Sequence, residues 1–377
     1  MPVTSLSSIR FLKKDQTREG FITRSFRSGV SLHSHTMFSE ESLETVSRYL
    51  RRIPALSAAI RCHASSKQRD LFDFSRAFWT PPLSPPMACH VEEEQIARRL
   101  GLPALVSLTD HDDIRAASSL RLREQSARVP VSTEWTIPFG PTFFHLGVHN
   151  IPPDRAPEVQ NELATYTRSS PSPDGLHSRL DWLNSFPQTL VVLNHPLWDE
   201  KGVGDVLHLK TLEQLVTKCG RFIHALELNG LRCWKENLEV VRLAKQADLP
   251  IISGGDRHGC EPNAILNLSR AEVFADFVEE IRYARLSHVV VMPQYREPLK
   301  LRIPETIADV LRHYPENPPG RRLWTERVFY RKPEDETVVP LSALWPDGGP
   351  RILPYVVGAM RLAGWRAMRP ALRFALE

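Results

Sequence analysis

The chain has 377 residues, Lys+Arg 48 against Asp+Glu 44 (net charge +4) and 42% hydrophobic residues, an ordinary globular composition. The mildly basic balance admits an anionic substrate without requiring nucleic acid, and Cys62, Cys89, Cys219, Cys233 and Cys260, without paired spacing, speak against a disulfide scaffold. No apolar run reaches the length of a membrane span or a signal-peptide core, so a cytoplasmic enzyme with no stable membrane insertion is the default expectation.

Residues 1–27 are polar and basic and read as an irregular lead-in. Gly29 to Leu32 is a short strand that ends at His33, and Glu40 to Ile53 carries Leu43, Val46, Leu50 and Ile53 at helical spacing. Residues 54–90 read as a proline-rich insertion over the surface, because Trp79-Thr80-Pro81-Pro82-Leu83-Ser84-Pro85-Pro86 fits neither a regular helix nor a central strand. Val91 to Leu100 is a helix closed by Gly101, and Ala104 to Leu108 is a strand running into Thr109-Asp110-His111-Asp112. Val129 to Thr133 leads into Glu134, and Phe143 to Val148 is a strand holding His145. Helices near 157–167 and 176–185 flank a Ser/Pro-rich linker at 169–174, and Thr189 to Leu193 ends at Asn194-His195-Pro196. Leu212 to Lys218, Leu238 to Ala247 and Ala271 to Arg285 read as helices. Phe222 to Leu228, which contains Glu227, Pro250 to Ser253 and His288 to Val291 read as strands, the second ending in Gly254-Gly255-Asp256-Arg257-His258. Strands alternating with helices, most of the strands near-continuous apolar runs, predict a parallel sheet covered on both faces. Seven or eight such units suggest a closed barrel with polar residues gathered at the C-terminal ends of its strands.

Those polar residues are His33, His35, Glu40, Asp110, His111, Glu134, His145, His195, Asp256 and His258. His33 and His35, two apart on extended backbone, lie on one side of a strand. The mixture of imidazole and carboxylate suits zinc, manganese or iron and is too nitrogen-rich for magnesium or calcium. It could serve two or three divalent ions, with Glu134 the best-placed bridging carboxylate. Such a centre would activate a water and neutralise phosphate oxygens without a nucleophilic serine or cysteine. Each residue has a structural alternative taken singly: His195 before Pro196 as a turn residue, His145 as a core histidine, Asp110 as a helix cap. Gly254-Gly255 fits close backbone approach to a crowded centre. Arg115, Arg232 and Arg257 lie near the motifs and could clamp a phosphate, with surface salt bridging as the alternative.

In order, these motifs resemble the PHP superfamily, named for polymerase and histidinol phosphatase. His33-Ser34-His35-Thr36, Ser39-Glu40, Thr109-Asp110-His111-Asp112, Thr133-Glu134, His145-Leu146-Gly147, Asn194-His195-Pro196 and Gly255-Asp256-Arg257-His258 carry the resemblance, over roughly residues 28–295. It implies a distorted (βα)7-type, TIM-like α/β barrel. His33, His35, Glu134 and Asp256 would hold one metal, Glu134, His145 and His195 a second, and Glu40, His111 and His258 a third. Glu134, Asp256 and His195 would be catalytic, with Asp110 behind the ligands. Glu40 stands where relatives carry Asp, which adds a methylene at the third site.

Residues 296–377 form a C-terminal extension. Residues 296–350 are poorly periodic, and Leu353 to Leu376 is a basic amphipathic stretch with Arg366, Arg369 and Arg373, interrupted by Pro370. The expected function is a metal-dependent phosphoesterase acting on a phosphomonoester or phosphodiester, with a phosphorylated small molecule or short nucleic acid as substrate. A non-catalytic metal-binding barrel and a metal-dependent hydrolase of a non-phosphate substrate are the alternatives.

Overall fold

The structure is a computed structural model that describes residues 6–13, 25–44, 73–122, 129–169, 172–346, 353–368 and 370. In chain order its strands are β1 (Leu6–Phe11), β2 (Ser28–Ser31), β3 (Glu41–Ser42), β4 (Ala77–Trp79), β5 (Ala104–Val106), β6 (Val131–Phe139), β7 (Thr142–Ile151), β8 (Leu190–Asn194), β9 (Ala225–Asn229), β10 (Ile251–Gly254), β11 (Ile265–Ser269), β12 (Leu286–Val291), β13 (Val328–Arg331) and β14 (Val338–Pro340). Two compact units share them. The first takes Met1–Phe38, Leu83–Arg257 and Glu261–Leu299, and the second takes Ser39–Pro82, His258–Cys260 and Lys300–Glu377.

The first unit holds two five-stranded sheets, ordered β1-β12-β11-β2-β5 and β10-β9-β8-β7-β6. Pairs β1/β12, β2/β5, β8/β9 and β9/β10 are parallel. Helices Asp205–Cys219 and Trp234–Gln246 make the β8-to-β9 and β9-to-β10 crossovers. β6/β7, β7/β8 and both pairings of β11 are antiparallel. The chain is therefore mixed α/β with separate sheets, and the expected closed parallel barrel does not form among the described residues. The cause is local: Gly140, at φ +58, closes a hairpin between β6 and β7 too tight for a crossover helix. Isolated bridges Ser34–Arg257 and His111–Glu134 tie loop to loop and loop to β6 beyond the ladders.

Burial explains the strand sequences. β8 (Leu190 to Asn194) and β9 (Ala225 to Asn229) are buried at every position, so both read as apolar runs with polar residues only where the site begins. Helix Phe274–Arg282 turns Phe274, Phe277, Val278 and Ile281 inward at helical spacing. Helix Pro85–Leu100 opens with proline in its first turn and ends at Gly101 (φ +67).

Several expectations need correction. Leu6–Phe11, inside the lead-in read as irregular, forms β1 and pairs in parallel with β12. The expected insertion at 54–90 contains strand β4 and the first turn of helix Pro85–Leu100, and its residues 54–72 lie outside the described residues. Most of the expected helix from Glu40 to Ile53 also lies outside them, as do Arg369 and residues 371–377, while Glu41–Ser42 is a short strand.

The second unit carries a four-stranded sheet, β14-β13-β4-β3, and helices Leu299–Leu311 and Leu353–Ala363. At its centre Arg327 is 1% exposed. Its guanidinium donates to the carbonyls of Arg321 and Arg322 (2.9 and 3.1 Å) and of Val310 and Arg312 (2.7 and 2.6 Å). Burial pulls its pKa down to about 10, so it stays protonated and all four bonds are charge-assisted. No helix among the described residues is long and apolar enough to cross a membrane. Lysine at 327 has too few donors for four carbonyls. Arg327→Lys is therefore expected to lower stability by about 1–3 kcal/mol in urea unfolding, and an unchanged midpoint would contradict this account.

Candidate metal centre

The site sits in the first unit, where strands stop. β2 runs out at Ser31 and the chain turns at His33 (φ +61). β8 ends at Asn194 and His195 follows at φ +25, and β10 ends at Gly254 with Asp256 at φ +55. Left-handed backbone at three non-glycine residues is strain concentrated at one place, as functional sites often show.

Glu134, in the middle of β6 rather than at a strand end, is fully buried and meets five imidazoles among the described residues. His33 Nε2 lies 2.9 Å from its carboxylate, His195 Nε2 3.1 Å, His35 Nε2 and His111 Nδ1 3.3 Å each, and His145 Nδ1 3.6 Å. Asn194 Nδ2 donates to Glu134 Oε1 at 2.8 Å. Asp256 Oδ1 closes one side, 3.7 Å from His33 Nε2 and 3.6 Å from His35 Nε2.

Five protonated imidazoles cannot share one buried carboxylate, because like charges in a dry site repel strongly. The pKa directions follow. Burial opposes ionisation of Glu134, yet His33, His111 and His145 together hold its carboxyl well below the usual range. Burial pushes His145 well down, with His111, His195 and His33 adding to it against Glu134. Burial would lower His33 too, but Glu134, Glu227 and Asp256 outweigh it and raise its pKa well above normal. Imidazoles gathered on a shared buried carboxylate are the donor set of a divalent-metal centre. Three groups within the unit each offer ligand atoms within 4.8 Å of one another: His33, His35 and Glu134; His33, His195 and Glu227; and His111, Glu134 and His145. The residues present therefore fit a metal.

Glu227 is the residue that sequence reasoning missed. It faces inward from β9, and its Oε1 lies 2.5 Å from His33 Nδ1, while Oε2 accepts from the His195 amide at 2.8 Å and from Asn229 Nδ2 at 3.0 Å. A proton on His33 Nδ1, donated to Glu227, would leave Nε2 as the ring's ligand atom once a metal displaces its proton. The only sequence signal was an acidic residue inside an apolar strand. Gly254 makes room for it, since a Cβ there would stand 1.5 Å from Glu227 Oε1.

The other expected residues distribute as follows. Asp110 lies behind the cage, accepting from the Thr36 amide (2.5 Å) and hydroxyl (2.7 Å) and so fixing the residue after His35. Glu40 is exposed, with its carboxylate 3.8 Å from Arg331, because the short strand β3 turns the next residue inward: Glu41 is buried and lies 3.1 Å from His258 Nε2. The expected set of Glu40, His111 and His258 therefore lacks Glu40. Arg257 is not free for substrate, since it is 3% exposed and its Nε donates to Glu92 at 2.9 Å. Arg115 is exposed, paired with Asp113 at 2.6 Å and over the Phe38 ring. Arg232 lies over the Trp198 ring at 3.7 Å, and Trp198 packs edge-on to His195 with ring centroids 5.2 Å apart.

No protein-family model matches the sequence, and no curated protein matches it significantly. Similar solved structures include PsfC from Pseudomonas syringae (14% identity, TM-score 0.39, covering 72% of this chain and 93% of the other). A candidate metal-dependent phosphoesterase from Bifidobacterium adolescentis (14%, 0.36, 69% and 96%) and an amidohydrolase from Chromobacterium violaceum with bound sulfate (14%, 0.36, 62% and 89%) are also similar. Likeness at this level carries no argument about activity.

Gly254→Ala is expected to cost about 1–3 kcal/mol by overpacking against Glu227 and to weaken metal uptake. Urea unfolding within about 0.5 kcal/mol of wild type, the range of an ordinary surface change, would show that Glu227 does not occupy that space.

Proposed function

We propose that the chain is a metal-dependent phosphoesterase that hydrolyses a phosphomonoester or phosphodiester, with a nucleotide, short oligonucleotide or other phosphorylated small molecule as substrate. The observation that carries this is the Glu134 carboxylate with five imidazoles around it in a buried setting. His33, His35, Glu134 and Asp256 would hold one divalent ion, and Glu134, His145 and His195 a second, with Glu134 shared. Manganese, zinc or iron suits that mixture of nitrogen and oxygen donors.

Bound divalent ions would supply a hydrolytic water acidic enough to react at neutral pH and would offset charge on phosphoryl oxygens. The chain's own residues do the rest. Glu227 keeps His33 in one tautomer and pins the His195 backbone. Asn229 Nδ2 orients Asp256 by donating to Oδ2 at 3.2 Å. Arg232, over the Trp198 ring, would offer its guanidinium to an anionic oxygen of substrate. The ordered motifs shared with the PHP superfamily favour a phosphoester over a carbonyl substrate, and a cytoplasmic location is part of the same proposal.

His35→Ala and Asp256→Ala are expected to abolish turnover of a generic aryl phosphate, at least about a thousandfold by the scale of lost electrostatic stabilisation, while circular dichroism stays native. Metal content is measured in parallel by elemental analysis. Wild-type turnover in a folded His35→Ala protein, or a metal-loaded wild type active on carboxylic esters and amides but not on phosphoesters, would overturn the assignment.

A further inference from the structure

Glu92 lies among buried Ala88, Cys89, Ile96 and Leu100 of helix Pro85–Leu100, and is itself fully buried. An acidic residue on the core stripe of a helix is costly unless every oxygen is satisfied. Here both are. Oε1 accepts from Arg257 Nε at 2.9 Å and from the Asn263 amide at 3.1 Å, and Oε2 accepts from Ser31 Oγ at 2.9 Å and from the same amide at 3.1 Å. Asn263 then reaches on with its side chain, donating to Ser31 Oγ (2.8 Å), the Leu32 carbonyl (2.9 Å) and Ser34 Oγ (3.1 Å).

The groups gathered by Glu92 are the flanks of metal-ligand positions. Ser31, Leu32 and Ser34 bracket His33 and precede His35, and Arg257 follows Asp256. The two loops are stitched by backbone bonds: Gly255 N to Leu32 O at 3.0 Å, Asp256 N to His33 O at 2.7 Å and His35 N to Arg257 O at 2.9 Å. The Cβ site of Gly255 is taken by Asn263, whose Oδ1 would be 1.6 Å away. A buried ion pair contributes little net stability, since desolvation offsets its attraction. What this one adds is registration of two loops from an element outside both.

We propose that Glu92 is a positioning residue for the metal centre, setting the spacing of the His33/His35 loop against the Asp256 loop through Arg257, Ser31 and Asn263. The inference rests on the metal-centre reading above. Glu92 reaches the cage only through backbone and these partners, so its removal should alter the geometry of the ligands and not their number.

The test uses full-length protein stripped by a chelator and titrated with Co2+, read by visible absorption. Glu92→Gln preserves volume but turns one of the two acceptor oxygens into an NH2 donor and removes the charge facing Arg257. It is expected to bind Co2+ about 10–100-fold more weakly than wild type, the usual scale for groups behind metal ligands, with a shifted ligand-field spectrum at saturation. Ser31→Ala, which removes one donor to Glu92, is expected to show a smaller loss in the same direction, and it decides the matter should Glu92→Gln not fold. Affinity within twofold of wild type and an unchanged spectrum in the folded variant overturn the positioning role. A wild type that takes up no Co2+ overturns the metal centre itself, and the two failures are thus distinguishable.

Discussion

A single buried carboxylate, Glu134, has to satisfy five imidazoles, and the architecture around it follows from that demand. Protons alone cannot balance the arrangement. One negative charge offsets one positive charge, and each further imidazolium would be buried against its neighbours. The opposed pKa directions of His33 and His145 express the same constraint. The imidazole with three carboxylates beside it has its pKa raised, and the one that burial and other imidazoles crowd has its pKa lowered. A divalent ion would resolve the conflict by taking several lone pairs at once.

Holding such a cage together takes unusual backbone. His33, His195 and Asp256 adopt left-handed conformations, which surrounding bonds must over-determine. Glu227 does this for two of them at once, bonding the His33 ring and the His195 amide. The Asp256 amide, donating to the His33 carbonyl at 2.7 Å, joins the third to the first. The three left-handed residues are therefore held by Glu227 and by backbone bonds between their own loops.

Much of this cluster could be read from the sequence because its imidazoles and carboxylates fall beside apolar strands, where a polar residue is conspicuous. His33, His195 and Asp256 stand just past β2, β8 and β10 in the structure, as their positions after apolar runs implied. Glu227 escaped because it lies within a strand that is apolar on either side, and one acidic residue there looks like any other exception. Glu40 and Glu41 could not be told apart, since period-two alternation in a two-residue strand offers no reference for which side is inward. Arg257 was misjudged because its partner Glu92 is remote in sequence. The sheet expectation erred for a related reason: strand runs reveal burial on both faces, not direction, and the Gly140 hairpin and the antiparallel β11 reverse polarity without altering hydropathy.

The point where the chain leaves the first unit after Phe38 and returns at Leu83 is pinned by one bond, Met37 N to the Leu83 carbonyl at 2.8 Å. Exit and re-entry are thus neighbours, and beyond them β3 and β4 pair antiparallel, so the ends of the excursion are already held together. Loop-closure entropy grows only slowly with length, so a change in the number of residues between β3 and β4, which pair with each other, comes at small thermodynamic cost to the histidine loop that precedes them. Chain length is thus free to vary between β3 and β4, whereas the spacing of the residues around Glu134 is not.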